Sequence, residues 1–437
     1  MASIPEDDPR YAGPPANTQN DGEAFRFSML LGDKRYRGIT LQVLTLAAFA
    51  ALVVFLGYNV VQKFDESGKT FSFSFLWQAA SYDIDQKLID YSSRSPHWKA
   101  AAVGILNTFL VAFMGIVTAT LLGVIAGVSR LSKNWLLARL MTVYVEIFRN
   151  VPLFVWLIIF ITTFTSLFPT PRNAWTLGAG LDWLVSLVTF GAYDAGENGE
   201  NSIFGAIVAF TNRGFRMTAP VFEEGSGWVV AAFLLSLVGW YFLRRYAKRE
   251  QEATGRIIPW VKLGLLLVVA VTIAAYYLAG QPISRDPVTL GKFNMTGGAR
   301  LSPGLVALWI GLSLYTGAFI AEIVRAGILA VSNGQREAAS ALGLQPRRTM
   351  NLVILPQALR VIIPPLISQY LNLIKNSSLA LVVSYFDIVA TLGGITLNQT
   401  GREMETLLLV MLFYLVVSLT ISAIINAYNS RVVLRER

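Results

Sequence analysis

The chain has 437 residues, of which 54% are hydrophobic and 14% are charged, and its formal net charge is +9. Soluble domains are about 25% charged, so the composition argues against a soluble protein and favours a helical membrane protein. The chain has no cysteine and a single histidine, His97, which excludes disulfides, thiol catalysis and multi-histidine metal sites. The sequence also lacks a G-x-x-x-x-G-K-[ST] phosphate loop, and we expect no cofactor or metal.

Eight apolar stretches approach or exceed the roughly 20 residues that a helix needs to cross a bilayer. They predict an all-α polytopic membrane protein with about eight transmembrane helices. Pro364-Pro365 should prevent the seventh from being one straight helix. Gly123-x-x-x-Gly127 in the second permits close packing against a helix that the sequence does not identify. The predicted spans are 39–61, 101–128, 140–168, 227–243, 258–279, 302–330, 361–392 and 406–428.

The distribution of Lys and Arg between the loops predicts the orientation, because cytoplasmic loops of membrane proteins carry an excess of both. With the N-terminus inside, the inner segments hold 20 Lys and Arg against 10 Asp and Glu, and the outer segments hold 12 against 14. Both termini are therefore predicted to be cytoplasmic. The positive net charge follows from topology and does not call for a nucleic-acid partner.

The first span is an extra N-terminal helix with a distinct segment on each side. Residues 1–38 are predicted to form a disordered cytoplasmic tail, since their first part is acidic, rich in Pro and Asn, and unlike a signal peptide. Residues 62–99, which follow the first span, are predicted to be periplasmic. Residues 431–437 are predicted to form a short cytoplasmic tail.

The cytoplasmic loop at 331–360 carries the most informative pattern. Residues 337–342 are good helix formers, Gly343 suits the position after a helix end, and Pro346 follows as a stop. A second helical segment should begin after Pro346 and end before Pro356, which prevents simple continuation. The two short helices form either a rigid knob that docks into another protein or an ordinary loop.

The same loop resembles a known motif. E-A-A, three residues, Gly, nine residues and then [I/V]-x-L-P is similar to the EAA loop of bacterial ABC importer permeases, with Val in place of the commoner Ile. The stretches at 144–153, 317–328, 355–360 and 375–379 resemble the polar amino acid branch of that family. The matching positions of the EAA motif are Glu337, Ala338, Ala339, Gly343, Val353, Leu355 and Pro356.

This resemblance implies a type I ABC importer transmembrane domain over residues 100–430. It also implies that the EAA loop contacts separate ABC ATPase subunits, where ATP is hydrolysed, so that the chain itself is not an enzyme. Closure of those subunits would move the loop and switch the permease between inward-open and outward-open states.

The extra N-terminal helix and an insertion at 169–300 with two extra helices resemble the longer permease subunit of general L-amino-acid importers. That resemblance implies a second, smaller permease and a periplasmic amino-acid-binding protein as partners in the bacterial inner membrane. Apolar patches near 181–190 and 203–210 are too short to span, so they are interfacial, re-entrant or a cover of the outer mouth.

Ionisable residues inside the predicted spans are candidates for function, because charge is costly within a bilayer. Two pairs are spaced by one helical turn and lie towards the cytoplasmic side. We predict that each pair forms a structural ion pair or lines an inner gate. The pairs are Glu146 with Arg149 and Glu322 with Arg325.

Lys375 is the sharpest candidate for substrate contact. It falls about 21 Å beyond the start of its predicted span at 1.5 Å per residue, and Asn376, Ser377 and Ser378 follow it. Its ammonium could pair with the α-carboxylate of an amino acid. Alternatively, it pairs with Asp387 or with a carboxylate on another helix.

Two other classes of function are less favoured. A secondary, ion-coupled amino acid transporter would favour inverted repeats and broken helices in both halves, and the sequence indicates one broken span and no repeat. A membrane-embedded enzyme is disfavoured by the absence of cysteine, the single histidine and the lack of a carboxylate cluster within the spans.

Overall fold

The computed structural model describes residues 34–66, 68, 70–177, 181, 208–290 and 294–432, and it divides into two compact units, 1–72 and 73–437. The first unit contains helix α1 (Lys34–Glu66), whose apolar part is long enough to cross a membrane. Residues 34–38, assigned to the disordered tail from sequence, belong to this helix, because an apolar helix readily extends into water through good helix formers such as Lys and Arg. The rest of the predicted tail lies outside the described residues.

The second unit contains the other long helices. Together with α1, seven helices are long and apolar enough to span a membrane in the described part of the chain, or up to eight if one bent pair counts as a span. The all-α prediction of about eight spans agrees with this result. The helices are α2 (His97–Ser129), α3 (Trp135–Asn150), α4 (Leu153–Ser166), α5 (Ser226–Thr254), α6 (Trp260–Leu278), α7 (Pro303–Leu329), α8 (Asn333–Ala341), α9 (Pro346–Thr349), α10 (Leu355–Asn376), α11 (Leu397–Thr400) and α12 (Glu403–Val432).

The third predicted span is sharply bent. The helix axis changes direction by 105° between α3 and α4, across Val151 and Pro152. Val151 is extended, with φ −105° and ψ 132°, because a following proline disfavours the α conformation. Pro152 also has no N–H to donate to a continuing helix. The bend brings Phe148 and Trp156 together, with stacked rings 4.2 Å apart.

The seventh predicted span is continuous where a break was expected. Helix α10 passes through Pro364-Pro365, and membrane helices tolerate such prolines when neighbouring groups satisfy the released carbonyls. The break comes later, where a 3₁₀ helix (Ser377–Val383) ends at Ser384 with φ 54°. A π-helical segment (Val389–Thr396) then leads into α11.

The expected stop at Pro356 is also wrong. A π-helical turn (Met350–Ile354) joins α9 to α10, and Pro356 falls in the first turn of α10. A proline is tolerated there because local π-helical adjustments of the backbone can satisfy the groups that a proline releases. The result is one helical stretch, Pro346–Val383, of 38 residues.

Helix α7 is at the centre of the second unit. It packs against α2, α3, α4 and α10, and more than half of its residues are buried. Gly123 and Gly127 identify its closest neighbour, because a Cβ added at Gly123 would meet Ile320 and one at Gly127 would meet the Ala321 carbonyl. The glycine motif of the second span therefore packs α2 against α7.

The insertion contains a helical hairpin and short strands. Helices α5 and α6 pack against each other, with Gly264 facing the ring of Trp240. Strands were not predicted, since segments of two to four residues show little periodicity. Antiparallel β1-β2-β3-β8, β4-β5 and β6-β7 sheets are formed by β1 (Trp175–Thr176), β2 (Val208–Thr211), β3 (Gly214–Met217), β4 (Ala219–Phe222), β5 (Ile283–Asp286), β6 (Thr289–Leu290), β7 (Met295–Thr296) and β8 (Ala299–Leu301).

Most of the two predicted apolar patches lies outside the described residues. Of the first patch, only residue 181 is described. Of the second, residues 208–210 are described, and they form part of β2.

Gly127→Ala should destabilise the second unit, because the new methyl group would meet the Ala321 carbonyl and the Val324 side chain. Overpacking of this kind costs about 1–3 kcal/mol, and we expect a lower thermal unfolding temperature in detergent. Gly57→Ala is the matched control, since a Cβ at Gly57 meets nothing within 4 Å. Equal stability of the two variants would contradict the close α2–α7 packing.

Candidate functional site

The first half of the EAA loop is a short helix with a defined end. Helix α8 is followed by Gly343 at φ 73°, a left-handed conformation that glycine adopts without steric cost. The Gly343 N–H donates to the Ser340 carbonyl at 2.9 Å, and the Leu344 N–H donates to the Ala339 carbonyl at 3.1 Å. These two bonds form a Schellman motif, which fixes the turn after the helix.

The helix is anchored on one side and exposed on the other. Ala339 is its one buried residue, whereas Glu337 and Ala338 are exposed. At its end Leu342 is 81% exposed, which is unusual for a leucine held in a rigid turn. This arrangement suits docking into a groove of another protein.

The second half of the loop contacts the first. Helix α8 packs against the π-helical turn before α10, and the Gln357 amide donates to the Gln335 side-chain oxygen at 3.4 Å. Leu355 and Pro356 lie at the exposed start of α10. The structure thus brings both halves of the motif together at one end of the helical core.

Glu322 on α7 is the centre of an ion cluster near that same end. Its Oε2 accepts a hydrogen bond from Arg130 Nη1 at 2.5 Å, and its Oε1 accepts one from Arg325 Nη2 at 2.6 Å. Arg149 Nη1 on α3 lies 3.9 Å from Oε2. One carboxylate therefore links the end of α2 with α3 and α7.

The two predicted pairs differ in the structure. Glu322 and Arg325 are in contact, but Arg149 approaches Glu322 instead of Glu146. The Glu146 carboxylate accepts a hydrogen bond from Asn150 at 3.3 Å. The spacing of residues along one helix could not reveal that Arg149 would lie closer to the Glu322 carboxylate on a neighbouring helix than to Glu146. Arg130 was not among the predicted site residues, because it falls in a loop by sequence.

The four polar residues of the predicted substrate cluster differ in exposure. Lys375 is exposed, and Asn376 and Ser378 are half-buried. Ser377 is buried and donates to the Ile374 carbonyl at 2.6 Å. The structure does not gather them into one site within this chain.

Asp387, the suggested partner of Lys375, contacts the backbone of its own segment instead. Asp387 is fully buried, and its Oδ1 accepts a hydrogen bond from the Ala390 N–H at 2.8 Å. In the described ranges of the chain, Asp387 forms no ion pair with Lys375. The alternative in which these two residues pair is therefore wrong.

A polar cavity of about 420 Å³ lies at the other end of α2 from the Glu322 cluster. His97 borders it, is almost fully buried, and has its Nδ1 3.0 Å from the Thr396 hydroxyl. Arg402 also lines it and contacts Glu405, with Nη1 to Oε1 at 3.2 Å. Sequence reasoning did not find this cavity, since its lining comes from segments about 300 residues apart.

The helices and the loop define a class: a polytopic membrane protein with a short, exposed helix and a fixed turn between two of its long helices. Residues 253–435 match the family model described as the inner membrane component of binding-protein-dependent transport systems. The chain belongs to this family of importer permeases, because curated members are more than 30% identical to it over most of their length.

Three relatives illustrate the match. The glutamate/glutamine/aspartate/asparagine transport system permease protein BztB of Rhodobacter capsulatus is 48% identical over 94% of this chain and 97% of the relative. The general L-amino acid transport system permease protein AapQ of Rhizobium johnstonii is 39% identical over 95% and 97%. The putative amino-acid ABC transporter permease protein YhdX of Escherichia coli is 38% identical over 94% and 98%.

Family membership decides between the classes of function considered from sequence. The chain is a multi-pass permease subunit of an ABC importer in the inner membrane, and not an ion-coupled transporter or an enzyme. Such importers work with an ATPase on separate subunits and with a binding protein.

Glu322→Gln should destabilise the protein, because Arg130 is only 10% exposed and would lose its charged partner. Removing one member of such a buried pair costs about 2–5 kcal/mol, and thermal unfolding of the purified protein measures the loss. Glu252→Gln is the control, since the Lys248–Glu252 pair is exposed and is worth at most about 1 kcal/mol. If both variants lost the same small amount of stability, the Glu322 cluster would not stabilise the fold.

Proposed function

We propose that this chain is the longer permease subunit of an ATP-driven importer of polar L-amino acids. The observation that carries the proposal is its 48% identity, over 94% of the chain, to a permease named for glutamate, glutamine, aspartate and asparagine transport. A relative named for general L-amino acid transport supports a broad range of side chains. The common features of such substrates are the α-carboxylate and the α-ammonium group.

The EAA loop and both termini face the cytoplasm in this proposal. Exposed basic residues surround the loop, and basic residues also follow α2 and end α5, as expected for inner loops. The ATPase then docks on the face of α8 that carries Glu337 and the protruding Leu342. The proposed coupling residues are Glu337, Ala338, Ala339, Gly343, Leu355 and Pro356.

The connections of α8 support a role in transmitting motion. Only three residues separate it from α7, and a tight turn leads from it into the stretch Pro346–Val383. Both neighbouring helices contribute to the main core. Movement of α8 by closing ATPase subunits would therefore shift α7 and α10, which is how we propose that the permease alternates between inward-open and outward-open states.

The other partners follow from the same family. We propose that a second, smaller permease pairs with this chain, because exposed Lys375 needs water or a polar partner at its position in an apolar stretch. Lys375, Asn376, Ser377 and Ser378 remain the predicted substrate pathway under this arrangement. A periplasmic amino-acid-binding protein would dock at the outer end, where residues 73–96 and the small sheets lie.

Gly343→Val should weaken coupling to the ATPase, because a β-branched residue is strained at φ 73° and would displace the end of α8. We expect less ATPase to co-purify with the permease and several-fold lower binding-protein-stimulated ATP hydrolysis. Gly334→Val is the matched control on the same helix, at an open position with ordinary backbone geometry. Normal co-purification and hydrolysis in the Gly343 variant would remove this turn from the ATPase interface.

Uptake into proteoliposomes tests the function itself. The complex of both permeases and the ATPase, supplied with the binding protein outside, should accumulate radiolabelled L-glutamine only when the lumen contains ATP. Ionophores that abolish proton and sodium gradients should leave uptake unchanged. Uptake that follows an ion gradient, or no uptake of any polar amino acid, would contradict the proposal.

A further inference from the structure

The ion cluster around Glu322 leaves one guanidinium without a hydrogen bond. Arg130 and Arg325 occupy the two carboxylate oxygens at 2.5 and 2.6 Å. Arg149 approaches the same carboxylate to 3.9 Å, which is an ion pair but too long for a hydrogen bond. Within the described part of the chain, the Arg149 guanidinium makes no hydrogen bond, so its five N–H donors keep their capacity.

Arg149 is nevertheless held in position. Its Cζ lies 5.3 Å from the centroid of the Phe319 ring, a cation–π distance. The side chain stays 37% exposed, more than Glu322 at 26% or Arg130 at 10%. The guanidinium therefore packs on α7 on one side and stays accessible on another, as one of three arginines around a single glutamate.

The position of this cluster makes the exposure informative. Phe319 and Glu322 precede the end of α7 at Leu329 by ten and seven residues, or about 15 and 10 Å along the helix axis. A charged group inside an apolar membrane helix is costly to expose to lipid, and such groups face a water-filled cavity or a polar partner. Arg149 also lies two residues before the 105° bend between α3 and α4, where the third span departs from a straight helix.

We propose that the Arg149 guanidinium binds the α-carboxylate of the transported amino acid in the cytoplasmic half of the pathway. The planar fork of arginine matches a carboxylate in a bidentate pair, and the two surplus positive charges favour an anionic group. Every L-amino acid carries this carboxylate, so the contact works for any side chain. The proposal rests on the proposed import function, and it makes Glu322 and Phe319 the residues that position Arg149.

The test measures saturable binding of radiolabelled L-glutamine to the assembled permease–ATPase complex without the binding protein. Arg149→Gln should weaken binding about tenfold or more, which corresponds to the loss of one charge-assisted pair. Arg149→Lys, which keeps the charge but not the fork, should weaken it less. Arg139→Gln, at an exposed position on the same helix, should bind as the wild type does.

A competition measurement identifies the group that is recognised. L-Glutaminamide, in which a neutral carboxamide replaces the α-carboxylate, should displace the radiolabel about tenfold less effectively than L-glutamine. Equal competition by the amide, equal binding by Arg149→Gln, or no saturable binding by the wild type overturns the proposal. So does a parallel loss of thermal stability and binding in both Arg149 variants, which would assign the residue a structural role.

Uptake by wild-type proteoliposomes separates this inference from the proposed function. If ATP-driven uptake persists while the binding measurements fail, only the role of Arg149 is wrong. If the wild type does not import amino acids at all, the import function is wrong and the inference falls with it.

Discussion

The close approach of α2 and α7 is the constraint on which the rest of the second unit depends. At Gly123 and Gly127 the helices come so near that even a methyl group would meet Ile320 or the Ala321 carbonyl. Lipid tails are as apolar as leucine side chains, so membrane helices associate through packing and hydrogen bonds more than through the hydrophobic effect. Small residues at this seam therefore set the distance between two helices that both also contact α3 and α10.

That distance also determines which charged groups meet where α2 ends, beside α7. Arg130 directly follows α2, and the tight seam brings its guanidinium within hydrogen-bond distance of Glu322 on α7. The same carboxylate attracts Arg149 from α3, but it has already bonded two other guanidiniums. Packing between apolar helices thus decides which arginines Glu322 bonds directly and which one, in our proposal, uses its donors for a ligand.

The sequence predicts the helical spans well because apolar length alone decides whether a segment can cross a bilayer. It also predicts the turn at Gly343, where helix formers, glycine and proline follow one another within ten residues. It does not predict the bend at Val151-Pro152, since one proline is compatible with a kinked, straight or broken span. Likewise, the partner of Arg149 depends on a helix more than 150 residues away.

The stretch Pro346–Val383 has a mechanical consequence. At 1.5 Å per residue its 38 residues measure about 57 Å, longer than the hydrocarbon core of about 30 Å that it crosses. If it moves as a rod, a tilt of about 10° about one end displaces the other end by about 10 Å. Such a rod would bend at the π-helical turn Met350–Ile354 and at the prolines 364 and 365. The stiffness of these points therefore determines how much of a movement at one end is transmitted to the other end.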